Sequence, residues 1–132
     1  GSGTTTKEIL TRMNLPNTLL GVDIIRNKKL LLNDANEKQI LDIVKDKKFK
    51  IIVSIIGGQG YIFGRGNQQL SPKVIELAGK DNIIVISTPS KLFALDGRPM
   101  LVDTGNENTD KMLSGYYKVV VGYEDVYVYK CQ

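Results

Sequence analysis

The chain has 132 residues, 42% hydrophobic and 24% charged, a length and balance that fit one domain (1–132) with its own core and exclude a disordered or fibrous chain. One cysteine, Cys131, and no histidine exclude an internal disulfide and remove the commonest zinc ligand and general base, so no metal site is expected. The net charge of +4 is spread along the chain, which argues against a nucleic-acid surface, and no apolar run approaches the ~20 residues that span a bilayer.

The first segment, Gly1-Ser2-Gly3-Thr4-Thr5-Thr6, leads into a helix. Thr5 and Glu8 have the spacing of a capping box, and the helix is expected to run through Met13 toward Pro16. Gly3, Thr4 and Thr5 would suit a phosphate, because helix N-terminal amides and hydroxyls both favour an anion. A leading Gly-Ser is equally a cloning remnant, and threonines before a helix are equally ordinary caps. Thr18 to Ile25 reads as a strand in which Asp23 is the polar exception, so it is either paired or aimed into a crevice. Asn27 marks a turn to Leu30-Leu31-Leu32, completing a hairpin. Asp34 and Glu37 have capping-box spacing ahead of Ile40, Leu41, Ile43 and Val44, which predicts a helix. Lys45 to Lys50 reads as its solvated end.

Lys50 to Ile56 is nearly all apolar, as suits a central parallel strand buried on both faces. Gly57-Gly58-Gln59-Gly60 through Gly64-Arg65-Gly66-Asn67-Gln68-Gln69 follows, read as a long loop anchored by Tyr61 and Phe63, ahead of a helix capped by Ser71-Pro72. At the carboxyl end of a central strand such a loop occupies the usual ligand crevice. Its glycines allow close approach, Arg65 offers a planar fork to an anion, and Asn67 and Gln68 offer amides. Asn82 to Ser87 is a second buried strand, followed by a capped helix at Thr88-Pro89-Ser90-Lys91, where Lys91 either neutralises a phosphate or is merely solvated. Arg98 precedes a short Met100-Leu101-Val102 strand that ends at Asp103-Thr104-Gly105, a turn or a ribose acceptor. Lys118 to Gly122 and Asp125 to Lys130 are the last strands, and the edge around Val126 to Tyr129 could pair with another subunit.

Strands alternating with helices give an α/β class: three layers, a mostly parallel sheet flanked by helices, and a C-terminal antiparallel hairpin. Without a signal-peptide pattern and with a lone thiol, a soluble cytoplasmic protein is expected.

The segments Leu15 to Asp23, Ile56-Gly57-Gly58-Gln59-Gly60 through Gln69, Thr88-Pro89-Ser90-Lys91-Leu92 and Leu101-Val102-Asp103-Thr104-Gly105 resemble the C-terminal half of ATP-NAD kinases over almost the whole chain. The resemblance implies a parent phosphotransferase that uses ATP or polyphosphate, with a divalent cation, to convert NAD to NADP. It also implies a separate N-terminal half carrying the family's GGDG motif, whose aspartate is the base. Gly57-Gly58-Gln59-Gly60 has an amide in that place, and an amide cannot accept the proton, so this half is expected to be inactive alone. Three functions are open: a nucleotide- or substrate-binding surface for the parent kinase, a regulatory domain that senses a phosphorylated metabolite at Gly1 to Thr6, or an interaction module for oligomerisation.

Overall fold

The computed structural model describes residues 3–132; Gly1 and Ser2, and any part they take in the expected phosphate turn, lie outside the described residues. In chain order these hold α1 (Thr4–Arg12), the hairpin β1 (Ile24–Arg26) and β2 (Lys29–Leu32), α2 (Glu37–Val44), β3 (Ile51–Ser54), β4 (Tyr61–Phe63), α3 (Pro72–Ala78), β5 (Ile83–Ile86), α4 (Pro89–Phe93), β6 (Leu101–Val102), α5 (Glu107–Leu113), β7 (Gly115–Gly122) and β8 (Asp125–Cys131). The α/β class is as read, with a C-terminal antiparallel hairpin. Among the described residues no helix is long and apolar enough to cross a membrane.

The main sheet runs β3-β5-β7-β8. β3, β5 and β7 are parallel, with Ile51 opposite Ile83 and Val85 opposite Val119, and β8 returns antiparallel with Tyr129 opposite Tyr117. Alternation sends Ile51, Val53, Ile83, Val85, Tyr117 and Val119 to a fully buried face, where they join Ile40 and Val44 of α2, Val74, Ile75 and Ala78 of α3 and Leu113 of α5. Ile52, Ile84, Ile86 and Val120 take the other face and are only half-buried. There α1 packs against β3, while a shallow groove of about 480 Å³ lies along β5, β7 and Val126 of β8. The expected third layer is therefore partial.

Hydrogen bonds tie the small β4-β6 sheet into the large one. Ile56 N–H donates to the Tyr61 carbonyl (2.9 Å), joining the end of β3 to β4, and Leu101 N–H donates to the Gly60 carbonyl (2.9 Å), joining β4 to its parallel neighbour β6. Met100 N–H donates to the Lys130 carbonyl (2.8 Å) and Gln132 N–H to the Met100 carbonyl (2.8 Å), joining β6 to β8. Inside this circuit Ile55, Ile62, Phe63, Leu95 and Met100 are fully buried.

Several local expectations are corrected. Thr18 to Ile25 is a loop for most of its length, because Asp23 accepts from Thr18 N–H (3.2 Å), Thr18 Oγ1–H (2.8 Å) and Asp34 N–H (3.0 Å) and folds the segment on itself. The box on α2 is Asn36 with Gln39, whose side chains and backbone amides exchange bonds of 2.9 and 3.0 Å; Asp34, at φ 50°, belongs to the preceding turn. Thr5 does not cap α1. That helix starts from Gly3 with no side-chain cap, and Glu8 instead pairs with Arg12 at 3.1 Å. The stretch 57–69 is not one loop but a tight turn, the strand β4 and a second, shorter loop. Ser71 and Thr88 do cap α3 and α4, each with proline in the first turn.

Gly64 shows how closely the parts fit: a Cβ there would overlap the Asp103 carbonyl, and its φ is +89°. Gly64→Ala is expected to lower stability by ~3 kcal/mol or more, read as a fall in urea midpoint with an unchanged slope. Burial pushes the Cys131 thiol up to about 11 from its ordinary 9.0, and burial raises the Tyr117 hydroxyl too. The unfolded thiol ionises first on raising pH, so its stabilising contribution is complete below about pH 9 and is lost on rising through about 11. Melting temperature should fall across that window, and Cys131→Ala should flatten the fall.

Candidate functional site

β3 supplies the site's axis. Its apolar run ends at Ser54, and beyond Ile55 and Ile56 the chain turns sharply at Gly57-Gly58-Gln59-Gly60, with the Ile56 carbonyl accepting from Gln59 N–H (3.3 Å) and Gly60 N–H (2.9 Å). Gly58 takes φ 80° in that turn, a region a Cβ disfavours. Into the space beyond the strand end comes the start of α1, whose N-cap Gly3 is fixed by its own N–H donating to the Leu19 carbonyl at 2.8 Å. Gly3 sits so close to β3 that a Cβ would lie 3.4 Å from Ser54 Oγ.

Lys91, in the first turn of α4, closes the other side. Its stem passes over Gly57, where a Cβ would be 3.8 Å from Lys91 Cγ and Cε. Its ammonium donates to Thr5 Oγ1 at 3.0 Å, across a sequence separation of 86 residues. The result is a cleft of about 230 Å³ lined by Gly3, Thr4, Ser54, Gly57, Gly66 and Lys91, with Asn67 and Arg65 at its far side.

The family follows from the whole length of this arrangement: residues 1–131 match the family model of the ATP-NAD kinase C-terminal domain. The chain belongs to that family. No curated protein and no solved structure matches it.

In this ATP-NAD kinase C-terminal domain, then, the glycine and hydroxyl segments expected to bind separately are brought to one place. Gly3, Thr4, Gly57, Arg65, Gly66, Asn67 and Lys91 line the cleft, and Thr5 touches it through Lys91. Others have structural occupations. Asn67 is buried, accepting from Gly64 N–H (3.1 Å) and donating to the Ile62 carbonyl (2.9 Å), so its amide is spent on holding the loop. The Gly60 carbonyl and the Gly64 backbone serve β6 and Asp103. Gly58, Gln59 and Gln68 are solvent-facing and outside the cleft lining. Thr88 Oγ1 accepts from Lys91 N–H (3.3 Å), positioning Lys91 rather than lining the cleft. Asp23 sits beside a different groove with Ile25, Lys50 and Ile52. Arg98 bonds the Leu95 carbonyl at 3.0 Å.

Arg65 and Asp103 meet each other: Arg65 Nη1 lies 2.7 Å from Asp103 Oδ2, and the guanidinium lies 4.6 Å above the Tyr61 ring. The pair is about half exposed, so its net contribution is of order ~0.2–1 kcal/mol and it is open to competition from a stronger anion. Within the cleft lining itself there is no carboxylate, and among the described residues no three or more His, Cys, Asp or Glu side chains cluster as a metal site would need. A divalent cation does not fit this donor set.

Two features escaped the sequence reading. Ser54 lines the cleft; its signal was a hydroxyl ending an otherwise apolar strand. α5 was not read at all, although Asn106 followed by an apolar Met112-Leu113 pair was a usable start-and-face signal; Asn106 caps it by accepting from Thr109 N–H at 3.1 Å. Removing the buried amide by Asn67→Ala should leave Gly64 N–H and the Ile62 carbonyl unmatched and cost about 2–4 kcal/mol, measurable by chemical denaturation.

Proposed function

We propose that this domain serves its parent ATP-NAD kinase by gripping the phosphate portion of a nucleotide in the cleft at the end of β3. The observation that carries this reading is the Lys91–Thr5 bond, which gathers the start of α1, the Gly57 turn and an ammonium around one small space. In that setting the Thr4 and Thr5 amides at the start of α1 offer donors to an anion, Thr4, Thr5 and Ser54 add hydroxyls, and Lys91 adds charge. Arg65 stands at the rim, ready to exchange Asp103 for a phosphate oxygen. At about 230 Å³ the cleft falls below the ~300–1,000 Å³ of sites that enclose a whole drug-sized ligand, so nucleoside and sugar lie outside it, against another part of the parent.

Phosphoryl transfer is catalysed mostly by positioning and charge stabilisation, which amides, hydroxyls and two cations can supply. What the cleft lacks is a base: no carboxylate or imidazole lines it, and Gln59 is an amide turned to solvent. This domain therefore binds without catalysing, and turnover requires the family's N-terminal half.

Titration of the domain with NAD, NADP, ATP and pyrophosphate, followed by amide NMR, tests the reading. The amides of Thr4, Gly57 and Gly66 should shift with at least one of them, and Lys91→Gln should weaken that binding about 10- to 100-fold, the worth of one hydrogen bond to a charged group. Unmoved amides with all four ligands would sink the assignment.

A further inference from the structure

We infer that a gap between β1 and β3 is the seat of one more parallel strand, supplied by the segment of the parent kinase that leads into this domain. β3 ends the strand order of the main sheet, and the β1-β2 hairpin forms a separate sheet. Two grooves, of about 220 and 160 Å³, lie between them, and Asp23, Ile25, Lys50 and Ile52 line both. The first continues to Ile40 and Val44 of α2 and Val74 of α3, the second to Thr6, Ile9 and Leu10 of α1. The grooves are therefore the two faces of one gap at the level of the sheet, with helices on either side.

Backbone groups on both walls of the gap are open. Ser87 N–H donates to the Val120 carbonyl of β7 at 3.0 Å, so by alternation Ile84 and Ile86 turn their groups toward β3. In the parallel register of Ile52 with Ile84 and Ser54 with Ile86, those two bond the residues that flank their partners, and Ile52 turns its N–H and carbonyl outward. On β1, Asn27 and Lys28 at φ 51° and 61° make a two-residue turn of the type whose flanking pair, Arg26 and Lys29, exchanges both bonds. The next pair, Ile25 with Leu30, is unbonded, so Ile25 also turns its groups away from its partner strand. Among the described residues no strand pairs with Ile25 on that side, or with β3 between Ile51 and Ser54 on its outer side. A strand laid in the gap bonds both.

Direction and source follow from α1. The helix starts beside Ser54, at the carboxyl end of β3, and packs back along that strand, bringing Leu10 to the groove near Lys50. A helix so placed is the second half of a strand-helix unit, whose strand runs parallel to its neighbours and ends where the helix begins. The parent segment that leads into this domain occupies that position. The walls set its chemistry: apolar side chains on both faces, against Ile9 and Leu10 on one and Ile40 and Val44 on the other. A carboxylate belongs at its start, because Lys48 and Lys50 line that end with no ion pair among the described residues, and both Asp23 oxygens are engaged by Thr18 and Asp34. With that strand in place, β3 gains a second parallel neighbour and the cover that its apolar run calls for.

Amide hydrogen exchange on the full-length parent and on the 132-residue domain tests this. Ile25 and Ile52 should exchange at least about 100-fold slower in the parent than in the domain. Should the bare domain fail to fold, the comparison is made inside the parent, where both amides should exchange within about tenfold of Ile84, whose N–H lies within the ladder to β3. In the parent, Lys50→Glu should speed exchange at Ile52 several-fold, and Lys50→Arg should leave it unchanged. Ile25 and Ile52 amides that exchange in the parent as fast as an exposed strand edge would overturn the proposal. So would protection in the bare domain that grows with its concentration, the mark of a second copy in the gap. Neither result bears on phosphate binding, which is read at the amides of Thr4, Gly57 and Gly66.

Discussion

Burial of β3 is the constraint on which the rest depends. Ile51, Val53 and Ile55 are all but completely removed from water, yet β3 is not the central strand buried on both faces that its apolar run suggested: it ends the strand order beside one parallel neighbour, β5, with Ile52 and Ser54 only half-buried on its other face, so helical cover is needed on the buried face. Parallel neighbours require crossovers, and each crossover returns the chain to the same end of the sheet. The carboxyl end of β3 thus becomes the one place where a polar loop, a helix start and a lysine from distant parts of the sequence can meet without burying their backbone. The gathering of these groups at that end is a consequence of topology before it is a consequence of particular side chains.

The side chains then divide the work. Those with buried surroundings, such as Asn67, act on their own loop; those at the mouth, such as Lys91, have charge to spare. Arg65 is intermediate, since its partner Asp103 neutralises it in the resting arrangement while solvent on both sides keeps that pairing weak.

How much of this was readable from the residues depends on the range of the interaction. Strands β3 and β5 announced themselves by unbroken β-branched runs, and Ser71-Pro72 and Thr88-Pro89 marked helix starts because capping is settled within four residues. The failures were cases where a contact from outside the segment decided its shape. Thr18 to Ile25 has strand composition, yet Asp23 takes bonds from both Thr18 and Asp34 and bends it. Tyr61 and Phe63 looked like anchors of a loop, and they are strand residues only because β6, nearly forty positions later, supplies a partner. The glycine segments stood out in the sequence, but nothing local showed that the first and second share one cleft, since the bond that joins them spans Thr5 to Lys91.

The circuit of bonds through Ile56, Tyr61, Leu101, Met100 and Gln132 makes the fates of the main sheet and the β4-β6 sheet inseparable. A turn of backbone lost at any link loosens both neighbours, so the strands should come apart as one cooperative block rather than peel away in sequence. A mechanical pull applied to either side would therefore meet a single resisting unit.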